Sequence, residues 1–148
     1  MMKWLGILML LVGCQSYVPP STLEEAQAYA AEFDEEFGIE SSKIHIWVGV
    51  EAFTADAIAL CIPARDSLGI NKEHWDRLGP RQKRTVIYHE KLHCDYHIEH
   101  IADMRPDNLP TSLMFPSMQY FSEGVLKDNW EYYLSQAHTL VTTRAYRF

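Results

Sequence analysis

The stretch Val86-Ile87-Tyr88-His89-Glu90-Lys91-Leu92-His93-Cys94-Asp95-Tyr96-His97-Ile98-Glu99-His100 places four of the seven histidines of this 148-residue chain within twelve positions. A helix starting at Arg81, after Gly79-Pro80, sets His89 and His93 on one face a turn apart, where both imidazoles can reach one metal ion. Glu90 lies about 100° further round the axis, beside the ion and not on it. A carboxylate there can take a proton from water that zinc has acidified. Val86, Ile87 and Tyr88 give the same helix an apolar surface to pack.

A catalytic zinc site needs a third protein ligand and an open position. On an unbroken helix His97 would stand about 12 Å, and His100 about 16 Å, along the axis from His89. The helix must therefore end between His93 and the ligand. A turn with positive φ would end it, and His is enriched in that region among non-glycine residues. If His97 makes that turn, His100 can fold back as third ligand with Glu99 beside it. His100 is the leading candidate; Glu99 and His97 stay open.

This pattern resembles the metzincin metallopeptidases, and most of all small bacterial lipoprotein-type metallopeptidases in which HExxH runs directly into Cys and another His follows. Ser112-Leu113-Met114-Phe115-Pro116 is similar to the metzincin Met-turn, which would set Met114 beneath the metal. The resemblance spans roughly residues 85–116 and departs from the family at two points. The commonest third-ligand position is occupied here by Glu99, and the usual turn glycine by Tyr96. It implies Zn²⁺ held by His89, His93 and a third ligand, with Glu90 as general base in the hydrolysis of peptide or protein substrates. In thermolysin-like gluzincins the third ligand is a Glu on a later helix, which would be Glu123.

The N-terminus carries Lys3, then Trp4 to Val12 without a polar side chain, then Gly13-Cys14. This has the form of a secretory signal and is far short of the roughly 20 residues that span a bilayer. Leu11-Val12-Gly13-Cys14 resembles a lipobox, which implies cleavage after residue 13 and a lipid on Cys14. The expected address is the bacterial cell envelope, with membrane contact through the lipid. Gln15 in place of Asp favours the outer membrane if the host is Gram-negative. The mature chain would have 135 residues (148 less 13), and its charge would pass from −7 to −8 with the loss of Lys3. That balance argues against nucleic acid as a partner. Cys61 and Cys94 remain as one pair, expected to form a disulfide in an oxidising compartment.

Residues 14–20 read as a tether and 21–148 as one domain. Ser21 and Thr22 each precede a Glu by three residues, offering two overlapping capping boxes. Leu23, Ala26, Ala30, Phe33 and Phe37 then share one helical face up to Gly38. Lys43 to Val50 alternates as a strand, with shorter strands expected at Ala57–Ile62 and Ser67–Asn71. A short helix is expected over Asn71–Leu78, loop over 101–120 and an amphipathic helix over Ser122–Ala137. The expected fold class is α+β: a small zincin-like domain with a short, mostly antiparallel sheet on the HExxH helix, plus N- and C-terminal helices. His45, His74 and His138 lack ligand spacing. Tyr120, Tyr132 and Tyr133 read first as packing residues, and only second as groups that steady an oxyanion. The competing functional expectation is a metal-binding or structural lipoprotein without catalysis.

Overall fold

The computed structural model describes residues 20–40, 42–49 and 57–145. The expected signal segment, Cys14 and all but the last residue of the tether lie outside them. Among the described residues no helix is long and apolar enough to cross a membrane.

Helix α1 (Thr22–Phe37) begins at Ser21, whose Oγ accepts the Glu24 amide while Glu24 Oε2 accepts the Ser21 amide, and stops at Gly38 with φ 67°. Only the first of the two possible capping boxes forms. Glu25 instead accepts from Trp75 Nε1 and Lys83 Nζ, and so ties α1 to two later elements.

Strands β1 (His45–Gly49), β2 (Ala59–Ile62) and β3 (Ser67–Asn71) form one sheet in the order β1-β3-β2. The sheet is mixed, which corrects the expectation of a mostly antiparallel one: β2 pairs antiparallel with β3, and β1 pairs parallel with it. The reason is burial. All five residues of β3 are buried, so this strand takes the centre. Leu68 and Ile70 enter the core, and on the other face Trp47 covers Gly69, where a Cβ would come within 2.4 Å of the indole. A tight turn over Pro63–Arg65 dictates the antiparallel β2–β3 hairpin, leaving β1 to pair on the far side.

Helix α2 is a single turn (Lys72–Trp75), shorter than expected, with Asn71 accepting the Glu73 amide. Helix α3 (Pro80–Tyr96) carries the histidines, and α4 (Glu123–Ala145) runs eight residues beyond the expected end. The extension is held where His138 stacks on Phe37 and bonds Glu36, and where Leu140 and Val141 pack on the core. Helices α1 and α3 lie between two apolar clusters. One joins them to the sheet through Ala26, Ala30, Ile46, Leu68, Ile70, Val86 and Ile87. The other joins them to α4 through Phe33, Tyr88, Leu92, Leu126 and Tyr133. The molecule is α+β, as the sequence predicts.

Candidate metal centre

Helix α3 ends at His97, which has φ 52° and ψ 37°; the Ile98 amide reaches back to the Leu92 carbonyl. This left-handed residue reverses the chain, and three residues later His100 stands opposite the helix. His89 Nε2 lies 3.1 Å from His93 Nε2 and 3.1 Å from His100 Nε2, and the three candidate ligand atoms all fall within 4.8 Å of one another. Corners of a tetrahedron with arms of about 2.0–2.1 Å stand about 3.3–3.4 Å apart, close to the spacing found.

The protonation pattern fits a cation as well. His89 Nδ1 is 2.7 Å from the Leu113 carbonyl oxygen and His93 Nδ1 is 2.5 Å from that of Ile98. A ring nitrogen facing a carbonyl at such distances carries the proton, so both Nε2 atoms present bare lone pairs to each other. Two such atoms cannot hydrogen-bond to one another, but both can donate to a metal ion. Burial above all holds His89 down to about 3, against the opposing bond to Leu113, so its ring is neutral at ordinary pH. Burial lowers His93 too.

Glu90 stands one residue round the helix and lines the same cleft. Its Oε2 accepts the Cys61 amide of β2 at 2.7 Å, and burial raises its carboxyl to about 7 even though that hydrogen bond works the other way. Cys61 and Cys94 form a disulfide, with Cα atoms 5.6 Å apart, as expected from the sequence. The cleft holds about 800 Å³, within the range of small-ligand sites. Its walls are largely apolar, from Ile58 and Leu60 on one side to Val86, Phe115 and Met118 on the other.

The remaining candidates sit elsewhere. His97 and Glu99 line the cleft, exposed, but are not among the three convergent side chains. Glu123 caps α3: its Oε1 accepts the Gln82 amide at 3.0 Å and its Oε2 meets Arg81. That position is about 10 Å along the helix from His89, too far for a shared ion. Met114 is wholly buried within the apolar cluster that also holds Leu92 and Ile98. The turn around it touches the site through the Leu113 carbonyl, with Ser112 Oγ accepting the Met114 amide. None of Tyr120, Tyr132 and Tyr133 lines the cleft; Tyr120 packs edge-on to Phe115, and Tyr132 donates to the Thr111 carbonyl. Sequence reasoning missed the Leu113 and Ile98 carbonyls and the Cys61 amide, because a backbone group leaves no mark in residue type.

Comparison with known proteins supplies no relative: no family model, curated protein or solved structure matches the chain. The functional reading therefore stands on the site itself.

Proposed function

We propose that this chain is a zinc-dependent peptidase of metzincin-like type, acting on peptide or protein substrates and anchored to the bacterial envelope by lipid on Cys14. The observation that carries the reading is the convergence of three imidazole nitrogens beside a half-buried carboxyl group in an open cleft. His89, His93 and His100 would hold Zn²⁺, which when bound supplies a Lewis acid for the scissile carbonyl and acidifies water. Glu90 would serve as general base, taking a proton from the attacking water and passing it to the leaving amine. The Leu113 and Ile98 carbonyls keep the ligand rings turned the right way. The apolar walls seat substrate side chains and limit water around the reacting bond.

The test begins with metal. Folded protein given zinc at neutral pH should bind about one ion per chain. It should then cleave members of a peptide library in a chelator-sensitive way. Glu90→Gln should retain the metal and lose turnover by a factor of at least about 100. Failure to bind zinc would sink the proposal, whereas zinc binding without any cleavage would favour a non-catalytic metal protein.

A further inference from the structure

Helix α3 carries two side-chain pairs at i, i+4 spacing, offset by one residue. His89 and His93 face the metal centre, while Glu90 and Cys94 face β2. Both members of the second pair are attached to the same residue of that strand. Glu90 Oε2 accepts the Cys61 amide at 2.7 Å, and Cys94 is joined to Cys61 through sulfur.

The strand's position makes this arrangement consequential. Among the described residues, β2 is an edge strand of four residues with β3 on one side. The Asn71 amide donates to the Ile58 carbonyl, so position 58 faces β3, and with it Leu60 and Ile62. Antiparallel alternation then turns the main-chain groups of Ala59 and Cys61 to the open side, towards the cleft. Glu90 takes the Cys61 N–H there. A short strand held by one ladder can shift against a helix by a fraction of an ångström, which a catalytic carboxylate does not tolerate. The disulfide supplies a covalent tie between that strand and the turn of helix bearing Glu90.

Resting on the reading of Glu90 as the base, we propose that Cys61 is its positioning residue: the Cys61 amide fixes the carboxylate, and the disulfide to Cys94 fixes the amide against α3. The convergent histidines come from α3 and the turn after it, none from β2. Holding the metal and aiming the base are therefore separable.

Two measurements on the full chain test this. In the zinc-loaded double variant Cys61→Ser with Cys94→Ser, zinc affinity and KM should stay within about threefold while kcat falls by about tenfold or more. In metal-free protein with the disulfide intact, Glu90→Ala should speed hydrogen exchange at the Cys61 amide by about tenfold, leaving the Leu60 amide, bonded to β3, unchanged. A disulfide that merely staples the fold predicts that the folded double variant keeps its kcat or loses zinc affinity along with it, and an amide that does not hold the carboxylate predicts no selective exchange at Cys61. Either result overturns the proposal. If the double variant does not fold, the Glu90→Ala exchange decides alone. If the wild-type chain cleaves nothing, the peptidase reading fails while the exchange pair still reports whether Cys61 and Glu90 are coupled.

Discussion

His89 and Glu90 are neighbours that the same burial pushes in opposite directions, because burial penalises whichever form is charged. His89 falls from 6.5 to about 3, so the unfolded chain binds a proton that the folded chain refuses. Its contribution to stability is full above pH 6.5 and is lost as pH falls towards 3. Glu90 rises from 4.5 to about 7, which gives the other sign: its contribution is full below pH 4.5 and is lost as pH rises through 7. Between pH 4.5 and 6.5 the two slopes oppose each other, at about 1.4 kcal/mol per pH unit each. Glu90→Gln removes one side of that balance. Without metal, the variant should therefore lose about 2–3 kcal/mol more than the wild type between pH 6.5 and 4.5, read from denaturant midpoints. Parallel pH dependences would contradict the opposed titration of the pair.

At the scale of the element, α3 has a different neighbour on each side. Tyr88 and Leu92 enter the cluster against α4, His89 and His93 converge with His100 on the candidate metal site, and Glu90 and Cys94 meet β2. Lys91 turns into the α1 interface, where its ammonium meets Asp34 at 2.8 Å, Asp95 at 2.9 Å and Ser42 Oγ at 3.1 Å. Its ammonium donates to Ser42 and is ion-paired with both carboxylates, so this buried charge is compensated and structural. The helix end matters most for the site. His97→Gly should preserve zinc binding, since glycine adopts the left-handed conformation freely. His97→Val should cost about 1–2 kcal/mol and weaken zinc binding, because a β-branched side chain resists that conformation and His100 depends on the turn. At the opposite end, Glu123→Ala should cost about 1 kcal/mol by uncapping α3 while leaving zinc stoichiometry unchanged. Loss of the ion in that variant would return Glu123 to the coordination sphere.

For the whole molecule, the disulfide closes a loop across 33 positions and joins the sheet to the central helix. Chain-entropy arguments give it about 3–4 kcal/mol, a large share of the roughly 5–15 kcal/mol by which such domains are stable. Replacing both cysteines should therefore lower the thermal midpoint by about 10 °C or more in calorimetry. Lys91→Met should be costly too, by about 2–3 kcal/mol in denaturant titration, since the half-buried Asp34 and Asp95 would be left without a cation.

How much of this could be read in advance depends on the range of the interaction. The helix of residues 22–37 and the one carrying His89 and His93 follow from periodicity, capping residues and Gly38, all within a few positions of chain, whereas the turn at His97 was expected only on the condition that a third ligand fold back. Sequence also paired Cys61 with Cys94, because no other cysteine remained once Cys14 was set aside. The parallel pairing of β1 with β3 was not legible: local alternation says that a segment is a strand but not which edge is free. Nor was the length of α4, whose last turns depend on Phe37 and Glu36 about a hundred residues away. By itself, then, the sequence determined which side chains share a helical face, and that the helix must end after His93 if a later residue is to join His89 and His93 on one ion, since helix geometry sets both. Only the tertiary structure decided which acidic group caps a helix and which stands in the cleft, which carbonyls orient the histidines, and that the Cys61 amide holds Glu90. Those outcomes rest on distances between segments far apart in the chain, and on burial, which no single segment possesses.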